Sequence, residues 1–410
     1  MAEPLTDRIA LALKELRDPA VLLGAALALM LAAGFFTPTG SAWSDLFYVI
    51  CGPAILVALW RGKYAEDWRK SSFFLPVALI LWSTFSVIWC TDPGPRNNVY
   101  LVYGFCTLVF FVGLVVALRE PGFWRVAGNA LIWFGTFNAG VSLVAYPWRN
   151  GIGGRLGGFG ETRQAILGAS VISAVAMFAL ARAFYDDARP KAWRLAYLAA
   201  ASVMILFVAL TQSRGPLAGL AAGVLVLALF SRRRWWFLAA LIGVPVVLWV
   251  LDRAVHLPWL DHAWRAVVIG PMTQRGTSFR PEIWRASLTR IAQHPWIGHG
   301  VGAPLGFENF TFPHDLYLSL LFYSGAVGLA LFGGTVFRLL GGVLRRPGPE
   351  RSLLVALWAN MLVSGLTDYG QIIKGPSPLW YIVWLPIACS VEFVTRPRSG
   401  DVARLRVCTE

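Results

Sequence analysis

Apolar segments long enough to cross a bilayer recur from end to end of this 410-residue chain. Each is close to the length that a helix needs to span a hydrocarbon layer roughly 30 Å thick. Twelve are read, at 20–36, 44–60, 73–90, 99–118, 124–146, 165–186, 195–211, 215–231, 235–251, 316–337, 352–368 and 377–394. Inside lipid every backbone N–H and C=O must be satisfied within its own segment, so these runs predict helices. The composition agrees: 57% of residues are hydrophobic and 14% charged, too few charges to cover a soluble fold of this length. Residues 1–19 lack the small-residue cleavage site of a secretory signal. No repeat or low-complexity tract divides the chain, which is expected to form a single integral membrane domain over 1–410.

Basic residues predict the orientation. With twelve spans both termini face one side. The connections there hold Arg61, Lys63, Arg69 and Lys70; Arg119 and Arg125; Arg189, Lys191 and Arg194; Arg232 to Arg234; and Arg338, Arg345, Arg346 and Arg351. The C-terminal tail adds Arg396, Arg398, Arg404 and Arg406. Both termini are therefore expected in the cytoplasm. The net charge of +14 reports topology, and with no soluble basic face interleaved with aromatics, nucleic acid is not an expected partner. The five cysteines lie in or near spans or in the tail and imply neither a disulfide framework nor a metal site.

The opposite side departs from this statistic. One connection, 252–315, is far longer than the rest, and loops of that length are usually functional or disordered. Four tryptophans and the stretch RPEIWRASLTRIAQHP, with apolar Ile283, Trp284, Leu288 and Ile291, predict an amphipathic helix at the membrane surface or capping a cavity. All five histidines (His256, His262, His294, His299 and His314) lie in this loop. Their spacing matches no tight helical ligand pair and HExxH is absent, so no metal or other cofactor is expected.

The outer side also carries arginines that positive-inside statistics disfavour: Arg155, Arg163, Arg214, Arg275, Arg280, Arg285 and Arg290. Arg214 stands in LTQSRGPLAG, just before the Gly215-Pro216 pair that opens a span. A guanidinium at a helix N-terminus suits a phosphate, which the free N–H groups and the helix dipole also favour. A lipid-linked diphosphate is the anion expected at an outer membrane face. Arginines there could stabilise the charge of a departing diphosphate, as a metal does in other glycosyl transfers. The outer carboxylates, among them Glu161, Asp315 and Asp368, are dispersed and form no DxD pair, which favours a metal-independent transfer. His314, at the mouth of the tenth span, can accept a proton near neutral pH; the alternative is a helix-start residue between Pro313 and Asp315.

Three motifs in order, QSRGPLAGL, FRPEIWRASLTRIAQHPWIGHGVGA and HDLYLSLLFYSGAVGLALF, resemble the O-antigen ligase/O-antigen polymerase superfamily of bacterial envelope enzymes. They cover about residues 205–340; the first six spans match in hydropathy alone. The resemblance implies an all-α integral membrane glycosyltransferase of the C type. It also implies about twelve transmembrane helices and a long periplasmic loop, in the inner membrane, with a periplasmic active site. Arg214 and Arg280 would bind the undecaprenyl diphosphate of the O-antigen donor, and His314 would activate the acceptor hydroxyl. Either Arg155 or Arg163 would fill the place of a further arginine. Two departures stand out: Asp315 follows the histidine where Asn is frequent, and GGFGETRQ lacks an Asn found near that point in many members. Asp315, Gln212 and Asp368 are candidate supporting residues.

Within the superfamily the compact chain with one dominant outer loop favours a ligase, which moves glycan onto lipid A-core oligosaccharide with inversion. The alternatives are a polymerase, a protein O-oligosaccharyltransferase, or a transporter of lipid-linked glycans. Ionisable residues at the outer ends of the spans, rather than at mid-membrane, favour an enzyme over a transporter.

Overall fold

The computed structural model describes residues 18–37, 39–62, 71–120, 122–150, 154–185, 189–231, 279–308, 310–348 and 350–396. Every span expected from the sequence, except 235–251, falls on a helix. That span, with His256, His262 and Arg275, lies outside the described residues. The order begins α1 (Pro19–Ala33), then α2 (Gly40–Leu46), which runs through a π turn into α3 (Gly52–Arg61). There follow α4 (Ser71–Phe85), α5 (Val99–Ala117), α6 (Phe123–Asn150), α7 (Ala165–Tyr185), α8 (Lys191–Leu210) and α9 (Arg214–Phe230). The rest are α10 (Arg280–Ile291), α11 (Leu316–Leu344), α12 (Glu350–Gly365) and α13 (Leu385–Thr395), the last preceded by a π turn. No named strand occurs among the described residues. Six of the helical segments there are long and apolar enough to cross a membrane.

Small residues set the closest packing. Gly215, Gly219 and Gly223 recur every fourth residue of α9 and lie against α12. A Cβ on Gly219 would meet the Ser364 hydroxyl and come within 2.6 Å of the Asn360 carbonyl, so only glycine admits this approach. Polar groups clamp other helices across the apolar interior. Asn360 and Ser173 bond at 3.1 Å between α12 and α7. The Trp43 indole N–H donates to the Met30 carbonyl, and the Tyr381 hydroxyl donates to that of Leu31. Trp380 stacks on Phe110 beneath them, with ring centres 4.2 Å apart.

The helix α11 is interrupted at Gly325, whose φ of 65° and ψ of −168° are not helical. The freed backbone groups find partners in the segment 295–300. His299 and Gly300 donate to the carbonyls of Phe322 and Tyr323, while Ala326 and Val327 donate to those of Pro295 and Trp296. The Trp82 indole N–H takes the Ser324 carbonyl at 2.9 Å. Gly298 must be glycine here, because its φ is +73° and a Cβ would lie 2.6 Å from the Gly325 nitrogen. The end of the long loop is thereby fastened to α11, whose N-cap is Asp315, the residue after His314.

Candidate functional site

His314 and Asp368 arrive from opposite directions. Asp315 caps α11 by accepting the Leu318 N–H at 2.8 Å, which fixes the residue before it. Helix α12 ends at Gly365, and a turn held by the Thr367 N–H on the Ser364 carbonyl delivers Asp368. The His314 Nδ1 lies 3.3 Å from the Asp368 Oδ1. Asp368 is buried, while the imidazole keeps 26% of its side-chain surface exposed. Phe312 packs on the imidazole with ring centres 3.9 Å apart, and Phe310 meets it edge-on at 5.9 Å. The Ser319 hydroxyl donates to the Tyr369 carbonyl and ties the 368–370 turn to α11.

Arg280 opens α10, the amphipathic helix expected over this stretch. Its buried residues Ile283, Ser287 and Ile291 fall one turn apart, and the helix packs on α11. Burial lowers the Arg280 proton affinity from its ordinary value, Asp368 raises it, Arg214 lowers it and Asp315 raises it. A guanidinium keeps its charge under such a shift. Arg280 is thus coupled to Arg214, Asp315 and Asp368, and Asp368 is the carboxylate that reaches His314. The Arg280 Nη1 and the Asp368 Oδ2 are both buried without a hydrogen-bond partner. Unmatched buried polar atoms are costly, and a donor and an acceptor of this kind can both be satisfied by a polar ligand.

Arg214 is the first residue of α9, exposed, with Gly215 behind it pressed against Thr367. Arg155 braces the preceding turn: its Nε donates to the Thr211 carbonyl at 3.1 Å and its Nη2 to the Ser213 hydroxyl at 2.8 Å. Gln212 is buried in that turn and reaches the Gly154 carbonyl at 3.4 Å. Asp315 raises no contact with His314 comparable to that of Asp368; its carboxylate is engaged with the helix start, and burial pushes it above its ordinary range.

The backbone is unusual where these side chains depart. Gln212, Phe279, His314 and Tyr369 are left-handed, with φ of 52°, 56°, 55° and 80°. They lie at or within two residues of Arg214, Arg280, His314 and Asp368. Non-glycine residues in this region cost of order 1–3 kcal/mol each and persist where the surroundings over-determine them, typically at functional sites.

Arg163 is placed elsewhere. It lines a cavity of about 340 Å³ with Glu161 and Lys374, whose walls include none of Arg214, Arg280 or His314. His299 is a packing residue: its ring nitrogens lie 2.8 Å from the Thr91 hydroxyl and 2.7 Å from the Arg290 carbonyl. Burial lowers its pKa. Sequence reasoning passed over Lys374, a lone cation in a short apolar connection, and the every-fourth-residue glycines of α9. That glycine spacing was a readable signal.

A base, a carboxylate behind it and a pair of guanidinium groups can together deprotonate a hydroxyl and hold an anionic leaving group. Two comparisons bear on this arrangement. The family described as O-antigen ligase matches residues 199–333, which include Arg214, Arg280 and His314. An O-antigen ligase of Pseudomonas aeruginosa is 28% identical over 398 residues, covering 91% of this chain and 92% of its own length.

Proposed function

We propose, for a chain that matches the O-antigen ligase family over residues 199–333, that it transfers glycan from undecaprenyl diphosphate to a sugar hydroxyl of lipid A-core oligosaccharide. The observation that carries this reading is the pair of unmatched buried atoms, Arg280 Nη1 and Asp368 Oδ2, the second on the carboxylate that reaches His314. The protein works as a multi-pass enzyme of the bacterial inner membrane, with about twelve spans in a glycosyltransferase C-type arrangement and its site on the periplasmic side.

In the proposed step Asp368 accepts a hydrogen bond from His314 Nδ1–H, which leaves Nε2 as the basic nitrogen. The acceptor hydroxyl gives its proton to Nε2 as its oxygen bonds to the anomeric carbon. The bond from that carbon to the diphosphate oxygen breaks, and the electron pair leaves with the diphosphate. Arg280 and Arg214 stabilise the charge that develops there, with the N–H groups at the start of α9 assisting. Arg155 acts through the turn that carries Arg214. One displacement inverts the anomeric centre. The absence of a DxD pair supports transfer without a metal.

Reconstitution tests the reading. Purified protein is given undecaprenyl-diphosphate O-antigen and lipid A-core in EDTA, and the product is resolved as a ladder. Transfer of long chains to lipid A-core is expected. Growth of the lipid-linked chain without attachment would make the protein a polymerase, and activity restored only by added divalent ions would overturn the metal-free step.

A further inference from the structure

The cavity beside Arg163 is unlike the His314 site. It lies between the 160–164 segment and the 374–378 segment, and its volume falls at the lower end of the roughly 300–1,000 Å³ typical of small-molecule sites. Three charged side chains line it, Glu161, Arg163 and Lys374, with the neutral hydrogen-bonding groups of Tyr103, Gln164 and Ser377. Its walls depend on close backbone approaches. Gly160 has φ of +59°, and a Cβ there would sit 2.5 Å from the Gly34 carbonyl. A Cβ on Gly375 would come within 2.6 Å of the Tyr103 ring.

The charges are not those of a closed ion-pair network. Arg163 and Lys374 are exposed, and no ion pair within 4.0 Å joins either to Glu161 among the described residues. Burial pushes the Glu161 carboxyl up to about 7, although Lys374 and Arg163 both pull it down. Near neutral pH the carboxyl is therefore partly protonated and the cavity carries a net positive charge. A diphosphate would be poorly served by a carboxyl among its cations. A sugar with one acidic group fits better: the cations take the anion, and the carboxyl exchanges a hydrogen bond with a ring hydroxyl.

We infer that the cavity of Glu161, Arg163 and Lys374 is a second substrate site that binds an anionic saccharide, bearing a phosphate or a carboxylate, away from the reacting centre. This rests on the glycan-transfer reading for which of the two substrates supplies the sugar, but not for the binding itself. The arms of the test therefore separate the two. In the binding arm, Lys374 of the purified full-length protein is acetylated with and without glucose 6-phosphate or glucose, and modification is read by mass spectrometry. Glucose 6-phosphate is expected to protect Lys374 at least threefold, glucose is not, and Arg163→Gln is expected to abolish protection. In the kinetic arm, Arg163→Gln/Lys374→Gln is expected to raise KM about tenfold for either donor or acceptor, with kcat within twofold of wild type. The substrate whose KM rises is the source of the sugar. Protection by glucose 6-phosphate in a wild-type protein that transfers no glycan would retain the site and discard the transfer reading. Equal acetylation in all samples, or both KM values within twofold of wild type, overturns the proposal.

Discussion

The imidazole of His314 and the carboxylate of Asp368 meet at 3.3 Å across 54 residues of sequence, joining the end of the long loop to the end of α12. If that contact sets the tautomer and orientation of a general base, each partner should fail in its own way. His314→Gln keeps hydrogen bonding but removes the basicity, and kcat should fall by about 10²–10⁴ with donor KM within twofold. Asp368→Asn keeps the shape but can present its amide to Nδ1, and kcat should fall by about 10² with the fold intact. Steady-state kinetics beside a thermal melt checks both. Wild-type kcat in His314→Gln would sink the base assignment.

Arg280 and Arg214 make a different demand. A guanidinium fork matches two phosphate oxygens at once, whereas an ammonium is a point charge. Arg280→Lys and Arg214→Lys should each lower kcat/KM by about 10²–10³, the range for losing one oxyanion donor. Transfer assays at saturating acceptor check this. Full activity in both lysine variants would show that charge alone suffices.

The glycine column of α9 makes a stability prediction. Gly219→Val brings a branched side chain against Ser364 and Asn360, where even a Cβ lacks room. Overpacking of this kind costs about 1–3 kcal/mol, and the start of α9 would shift with it. Denaturant unfolding in detergent should show the loss, and activity should fall with it because Arg214 is the first residue of that helix.

Glu161 gives a pH-dependent prediction. Its carboxyl is raised from the ordinary 4.5 to about 7, by burial first, against the pull of Lys374 and Arg163. The folded state therefore holds a proton that the unfolded state has released between those values, and stability falls as pH rises through this window. Glu161→Gln removes the penalty. Its melting temperature should exceed that of wild type by more at pH 8 than at pH 5. An equal difference at the two values would show that the group is not shifted in the folded protein.

Much of the helical framework was legible because a bilayer leaves a chain few choices. Hydropathy alone placed a helix at each expected span within the described residues, and Pro281 with its apolar spacing placed α10. The grouping of Arg214, Arg280 and His314 into one site is implied by the resemblance; the structure couples Arg280 to Arg214 and to Asp368, and Asp368 to His314. Asp368 could be named as a candidate, but not as the partner of His314, since nothing local relates residues so far apart. Asp315, adjacent in sequence, looked equally suited until its capping bond used the carboxylate. Arg155 reaches the turn between α8 and α9 while Arg163 lines another cavity, a difference in side-chain reach that no spacing encodes. The interruption at Gly325 was hidden for a related reason: one glycine in a long apolar run reads as helix unless the segment that completes its hydrogen bonds is known.

That interruption has an implication for exchange between relatives. Residues 295–300 supply hydrogen-bond partners that α11 cannot supply for itself, so neither piece is a self-sufficient module. A chimera that imports the outer loop of a relative while keeping the native α11 leaves the groups around Gly325 dependent on a foreign backbone. Grafts should therefore succeed when the loop end and the helix travel as one cassette, and specificity can be swapped between such proteins only at that larger grain.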